Sequence, residues 1–155
     1  MGLDMYLEKD IWIGGYFEHK KARGTVEIEV IGFNNEEVKL NIPVNKISSI
    51  VLHMGYWRKA NQIHGWFVDN VQNGVDECQR SWVEEEQLKK LKAICQKVLD
   101  NPERASELLP TQSGFFFGST EYDEYYFKDL KDTIEIIDKC LENEMPGDYY
   151  YHSSW

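Results

Sequence analysis

Hydrophobic and polar residues alternate through the first third of the chain and predict β-strands there. The segment MGLDMYLEK has the two-residue period of a strand with one buried face. The segments GTVEIEVIGF and VKLNIP repeat this alternation on either side of an Asn-Asn pair, which is typical of a β-hairpin. KISSIVLHMGYW predicts one more strand, whereas the glycines and basic residues of IGGYFEHKKARG predict a loop.

Apolar residues recur every three to four positions through the rest of the chain, which predicts α-helices. The first predicted helix covers residues 57–72. Ser81 and Glu84 form a capping-box pattern that opens a second helix, and this helix stops at residues 101–102, Asn-Pro. The last helix is predicted over about residues 123–141.

The order of these elements predicts the fold class. The C-terminal GDYYYHSSW is expected to be extended and to add to an edge of the sheet near the N-terminal strand. Because strands precede helices rather than alternating with them, the pattern predicts an α+β fold. We expect a mostly antiparallel sheet from residues 1–55 plus the tail, packed by three main helices. A chain of 155 residues fits one domain, residues 1–155.

Composition narrows the classes of partner. A formal charge of −10 argues against a nucleic-acid polymer or an anionic membrane, since both bind basic surfaces. The acidic excess serves solubility or, as an alternative, mimics a nucleic-acid backbone. With no secretory signal pattern and no apolar run of membrane-spanning length, a cytoplasmic location is expected. Three widely spaced cysteines, Cys78, Cys95 and Cys140, match neither a disulfide framework nor a zinc site, so we expect reduced thiols and no cofactor.

GYWRKANQIHGWF is the first stretch with candidate binding residues. Tyr56 and Trp57 offer flat rings for stacking, next to the cations Arg58 and Lys59. At the start of a helix, free N–H groups and the positive dipole end would join these cations in an anion site. Asn61 adds an amide. The alternative is a surface helix with aromatic anchors and solvated basic residues.

Two further residues of this stretch need an explanation. His64 lies on the apolar edge of the predicted helix, as a core histidine with satisfied ring nitrogens or as a general acid–base group. Gly65 in mid-helix costs about 1 kcal/mol relative to alanine, which is tolerated more readily where another group passes close. The histidines show no metal-ligand spacing, so we assign no metal ligand and no catalytic residue.

PTQSGFFFGST is the second stretch. Thr111, Ser113 and Ser119 supply hydroxyls, Gln112 an amide and Gly114 a backbone donor. The order of a Walker loop and its lysine are missing. We expect the phenylalanines to pack beneath the loop while its small residues face a ligand; the alternative is an aromatic plug under a turn.

The N-terminal MGLDMYL together with GYWRKANQIHGWFVDNVQNGVDEC and LLPTQSGFFFGSTEYDEYYFKDL resembles a family of small proteins from bacteriophages and prophages. The resemblance covers nearly the whole chain outside residues 10–45. It implies a phage gene acting in the bacterial cytoplasm. Small phage proteins with nucleotide-sized pockets include proteins that sequester cyclic-nucleotide or ADP-ribose-derived signals of bacterial defence, and the analogy suggests such a role here.

The leading hypothesis is therefore non-catalytic binding of a small anionic, nucleotide-derived ligand in one pocket formed by both stretches. Two alternatives stay open: an enzyme acting on a similar ligand with His64 as general acid or base, and an acidic inhibitor that binds a host protein. The oligomeric state is open as well, a homo-oligomer included. The predicted ligand-binding residues are Tyr56, Trp57, Arg58, Lys59, Asn61, His64, Thr111, Gln112, Ser113, Gly114 and Ser119.

Overall fold

The structure is a computed structural model that describes residues 2–14, 24–32 and 34–155. Most of the loop predicted from IGGYFEHKKARG lies outside the described residues. The chain divides into two compact units, a smaller one of residues 10–51 and a larger one of residues 1–9 with 52–155. The prediction of one domain over residues 1–155 stays a prediction.

The fold is α+β with antiparallel sheets, which confirms the predicted class. The elements in chain order are β1 (Asp4–Trp12), β2 (Thr25–Ile31), β3 (Glu37–Pro43), β4 (Ser49–Arg58), α1 (Asn61–Asn70), β5 (Ser81–Val83), α2 (Glu85–Asp100), α3 (Ala105–Leu108), α4 (Glu124–Glu142) and β6 (Asp148–Ser154). Within the described residues, no helix combines the length and apolar character needed to cross a membrane.

The smaller unit contains the predicted hairpin. β2 and β3 pair antiparallel in a two-stranded sheet of their own, from Thr25 opposite Pro43 to Ile31 opposite Glu37. Asn35 in the turn has a φ of 59°, a left-handed conformation that asparagine adopts more readily than most residues. The apolar cross-strand pairs on one face are Val26–Ile42, Ile28–Leu40 and Val30–Val38. The alternation therefore predicted the pairing correctly, but not its separation into a second sheet.

The four-stranded sheet has the order β4-β1-β6-β5. The tail strand β6 lies beside β1, as predicted, but it is not an edge strand. β5 covers its other side, with Ser81 opposite Tyr151 and Val83 opposite Tyr149. Ser81 consequently belongs to a strand, and the capping box of α2 is made by Glu84 and Gln87 instead.

The core of the larger unit lies between this sheet and the helices. α4 matches the last predicted helix closely; the carboxylate of Asp123 caps it by accepting hydrogen bonds from the N–H groups of Tyr125 and Tyr126. Cys95 and Cys140 are free and buried, and burial raises the pKa of Cys95 to about 12 and that of Cys140 to about 11. The largest buried core side chains include Leu3, Met5, Leu7, Ile63, Phe67, Leu88, Leu91, Leu109, Leu130, Ile137 and Tyr151.

The first predicted helix starts too early. β4 continues through Arg58, and α1 begins only at Asn61, with Ala60 as its N-cap. The N–H of Lys59 donates to the carbonyl of Leu3 over 2.8 Å. Pairing with the N-terminal residues therefore extends β4 past the predicted start of the helix. Trp57 and Arg58 therefore do not lie on a helix, and the predicted anion site at a helix N-terminus there is wrong.

The expected close approach at Gly65 is present. A Cβ at Gly65 would come within 2.6 Å of the Gln112 side chain. The first stretch therefore contacts the second at this position. A larger residue at this point of α1 would force the Gln112 side chain to move.

Candidate functional site

A pocket of about 290 Å³ lies in the larger unit, where the end of β4 and the start of α4 meet the loop of residues 111–121. Both stretches singled out in the sequence contribute to it. Its lining residues are Arg58, Lys59, Gln62, Thr111, Gly118, Ser119, Glu121, Asp123, Tyr125, Tyr126 and Asp129. The structure thus brings the predicted cations together with two of the predicted hydroxyl residues.

Asn61 holds the two stretches together. Its side chain is 1% exposed, and its Nδ2 donates to the carbonyls of Phe117, over 2.9 Å, and Ser119, over 2.8 Å. Its Oδ1 accepts from the N–H of Gln112 over 2.8 Å. Buried hydrogen bonds of this kind are expensive to leave unmade, so they fix the loop against the start of α1. Asn61 is consequently a structural clamp between the two stretches, and it does not line the pocket.

The cationic side of the pocket is formed by Arg58 and Lys59. The guanidinium of Arg58 is largely exposed and lies 4.0 Å from the carboxylate of Asp4, an ion pair that contributes little to stability at such exposure. Lys59 has a φ of 60°, a conformation strained for a residue with a side chain. A Cβ at Gly118 would lie 3.1 Å from the Cβ of Lys59, so this glycine lets the loop approach the cations closely.

Asp129 and Glu121 lie among the acidic residues of the same pocket. The Asp129 carboxylate accepts a hydrogen bond from the side-chain amide of Gln62 over 3.1 Å. Burial raises the pKa of Asp129 to about 6. Within the described part of the chain, no ion pair shorter than 4.0 Å joins Asp129 to Arg58 or Lys59. Opposite charges therefore line one cavity without neutralising each other.

Tyr125, which was not predicted from the sequence, offers an exposed aromatic ring in the pocket. Tyr125 lines the pocket and is 69% exposed. Its place after the helix cap Asp123, on the solvent side of an amphipathic helix, was the signal that could have identified it. Trp57, by contrast, is buried and donates its Nε1–H to Thr133 over 2.9 Å. Tyr56 is exposed, but its hydroxyl donates to Asp4, and that hydrogen bond raises the pKa of Tyr56.

Three predicted residues of the loop lie outside this pocket. Gln112 lines a separate pocket of about 210 Å³ together with Gly65. Ser113 is exposed and lines neither. Gly114 serves packing, because a Cβ there would come within 2.7 Å of the Phe117 ring. Only Thr111 and Ser119 of the predicted polar loop residues line the pocket that holds the cations.

His64 is a core histidine in the structure. Its side chain is 1% exposed; Nδ1 lies 2.7 Å from the Tyr151 hydroxyl and Nε2 lies 2.9 Å from the Asp76 carboxylate. The other carboxylate oxygen of Asp76 accepts from the indole N–H of Trp155 over 3.2 Å. Both ring nitrogens are therefore occupied, and His64 does not line the pocket.

The three phenylalanines do not share one environment. Phe117 packs against the core and meets the His64 ring edge-on, with 5.2 Å between ring centroids. Phe116 is half-buried. Phe115 is 95% exposed, so the expectation that all three rings pack beneath the loop is wrong.

Among residues 2–14, 24–32 and 34–155, no three His, Cys, Asp or Glu side chains are grouped closely enough to hold a metal ion.

Comparison with protein-family models, curated proteins and solved structures finds no match to the chain. Functional assignment consequently depends on the geometry of the pocket.

Proposed function

We propose that the protein binds a small phosphate-bearing, nucleotide-derived ligand in this pocket and releases it chemically unchanged. The observation that carries the proposal is the clamp of Asn61, which places Arg58 and Lys59 against the Gly118–Ser119 segment. A phosphate between them would receive charge-assisted hydrogen bonds from the two cations and a hydrogen bond from the Ser119 hydroxyl.

The size and lining of the pocket support this class of ligand. Its volume of about 290 Å³ lies just below the usual range of small-molecule sites, which starts at about 300 Å³. That space suits a mononucleotide, or one nucleotide portion of a larger signal molecule. The exposed ring of Tyr125 provides a stacking surface for a base, which is worth about 1–3 kcal/mol per base in other proteins.

Binding without catalysis is favoured over the enzyme alternative by the position of His64. A general base must reach the proton that it abstracts. The ring nitrogens of His64 face Tyr151 and Asp76 instead, in the interior. The resemblance to phage proteins supplies the biological setting: the protein would sequester a nucleotide signal of bacterial defence in the host cytoplasm.

The test is incubation of the protein with AMP, GMP, cyclic dinucleotides and ADP-ribose, followed by gel filtration, heat denaturation and analysis of the released compound. Recovery of an intact ligand in the protein fraction supports binding. A chemically altered compound supports an enzyme, and no retained compound contradicts the proposal.

Arg58→Ala separates a specific site from general ion binding. We expect it to weaken ligand affinity by about tenfold or more, since it removes a charge-assisted contact. Arg104→Ala is the matched control, because it removes another partly exposed arginine that is paired with Glu107 and lies outside the pocket. Equal losses in the two variants would argue against the pocket.

Exposure of Phe115 favours protein binding as a second function. An aromatic side chain that is 95% exposed on a loop held by buried hydrogen bonds is pre-organised as an anchor for an apolar pocket on another protein. The test is retention of a bacterial protein by the immobilised chain in stoichiometric amount. Loss of that protein with Phe115→Ser, but not with Ser113→Ala, would support this function.

A further inference from the structure

The pocket keeps its opposite charges apart. Arg58 and Lys59 line it together with the carboxylates of Glu121, Asp123 and Asp129. Asp123 is occupied by the backbone N–H groups at the start of α4. Glu121 is exposed, so water solvates its charge. The charge that needs an explanation is therefore that of Asp129, which lies six residues after Asp123, on α4.

Asp129 has hydrogen-bonding capacity left for a ligand. Within the described part of the chain, its side chain has one hydrogen-bond donor, the amide of Gln62, which binds Oδ2. Gln62 is only 2% exposed, whereas Asp129 is half-buried, so the pair forms a partly desolvated wall of the cavity. A carboxylate that loses part of its water is stabilised by a cation or by further donors. The second oxygen, Oδ1, accepts no hydrogen bond from the described residues and is not fully buried, so it remains open to a donor in the pocket.

We propose that Asp129 accepts an N–H group of the ligand, so that the ligand carries a phosphate at one end and an amino group at the other. This inference rests on the proposed function and specifies its ligand class: amino-bearing nucleotides, in which the base carries an exocyclic NH₂. The phosphate lies at Arg58 and Lys59, and the amino group lies at Asp129.

The arrangement discriminates against related compounds. A keto oxygen in place of the amino group faces the Asp129 carboxylate and is repelled, since neither group has a proton to donate. An inorganic polyphosphate pairs with Arg58 and Lys59 but donates no hydrogen bond to Asp129. The exposed ring of Tyr125 on the same helix adds stacking, which favours an aromatic base over an aliphatic amine.

The test is calorimetric titration with two matched pairs, CMP against UMP and AMP against IMP, at pH 7.5. In each pair the first compound has an exocyclic amino group where the second has an oxygen. We expect the amino member to bind about tenfold more tightly or better, as in other sites built to hydrogen-bond one substrate group. Asp129→Asn should reduce that preference to less than about threefold, because the neutral amide can also turn its NH₂ toward a keto oxygen.

The control variant is Asp132→Asn. Asp132 lies on the same helix, pairs with Lys128 and does not line the pocket. This variant should keep the full wild-type preference for the amino member of each pair. Glucosamine 6-phosphate against glucose 6-phosphate identifies the source of the amino group: a preference in this pair as large as that in the nucleotide pairs assigns recognition to the amine alone, and a smaller one assigns it to the base as a whole.

The outcomes distinguish the two proposals. If the nucleotides bind and Arg58→Ala weakens them, but the amino and keto members bind equally, the inference about Asp129 is overturned and the proposed function stands. An amino preference that persists in Asp129→Asn overturns it as well. If none of the phosphate compounds binds, the proposed function fails, and this inference fails with it.

Discussion

Two polar clusters of the larger unit differ in how their charged and polar side chains are paired. In the interior, His64, Tyr151 and Asp76 form a hydrogen-bonded chain in which both ring nitrogens have a partner. In the pocket, Arg58 and Asp129 line one cavity without forming an ion pair of 4.0 Å or less.

The difference distinguishes a structural cluster from a candidate binding site. Buried polar groups that satisfy each other rigidify a fold and leave no valence for a ligand. Groups held apart across a cavity keep their charge available, at a cost in stability that a bound ligand can offset. The more conspicuous residue in the sequence, His64, belongs to the first kind, and the less conspicuous Asp129 belongs to the second.

The largest effect is expected for His64→Ala. The substitution removes a buried ring and leaves the Tyr151 hydroxyl without its partner, so it should lower the free energy of unfolding by about 3–5 kcal/mol. Urea denaturation followed by circular dichroism measures this change. His53→Ala, at an exposed strand position, is the control and should stay within about 0.5 kcal/mol of the wild type. A small effect of His64→Ala would refute the structural role of the chain of hydrogen bonds.

Asn61→Ala should destabilise by about 2–4 kcal/mol, because it removes three hydrogen bonds in a buried position. It should also abolish ligand binding, since the loop of residues 111–121 loses its attachment. Denaturation and calorimetric titration test the two effects separately. A variant that binds ligand normally would show that the clamp does not form the pocket.

Phe117→Ala and Phe115→Ala form a matched pair. Phe117 is half-buried against the core. Phe117→Ala should lower the free energy of unfolding by about 1–3 kcal/mol, less than the loss of a fully buried phenylalanine. Phe115 is almost fully exposed, so its removal should change stability by less than about 0.5 kcal/mol. Thermal unfolding of the two variants measures the difference, and equal losses would contradict the loop conformation.

The smallest effect concerns Asp129 and pH. The folded-state pKa of about 6 exceeds the ordinary value of 3.8, so the folded protein binds the proton more tightly than the unfolded chain. This carboxyl therefore contributes most stability below pH 4 and loses it as the pH rises toward 6. Asp129→Asn should stabilise the protein above pH 6 by less than about 1 kcal/mol, since solvent in the pocket screens the charge.

The advantage of Asp129→Asn should disappear at acid pH, and urea titrations at pH 4 and pH 7.5 test this. An advantage that is the same at both values would mean that burial does not perturb the carboxyl. Glu135→Gln is the control, because Glu135 is an exposed acid of the same helix that pairs with Lys139 and does not line the pocket.

Local patterns explain which elements could be predicted. The hairpin of β2 and β3 follows from two alternating runs around an asparagine turn, and α4 follows from a 3.6-residue period that begins after Asp123. Both signals are confined to neighbouring residues. The predicted start of α1 was wrong because Trp57 and Arg58 belong to β4, and the extent of β4 depends on its pairing with β1.

The sequence singled out the cations and hydroxyls of the candidate pocket, but neither its acid nor its exposed ring. Arg58, Lys59, Thr111 and Ser119 belong to unusual sequence contexts, and the structure places all four around one pocket. Asp129, by contrast, lies in an ordinary amphipathic helix, where a carboxylate is usually solvated. Nothing local distinguishes it from the exposed acids beside it.

Local sequence patterns were enough to predict the α+β class, the hairpin, the last helix and the two stretches that meet, because alternation, periodicity and glycine content act over a few residues. Folding decides which of their polar groups pair and which remain open. That decision depends on which donors and carbonyls surround a side chain and on how much water is left there, and those neighbours come from distant parts of the chain, as Asn61 and Ser119 show.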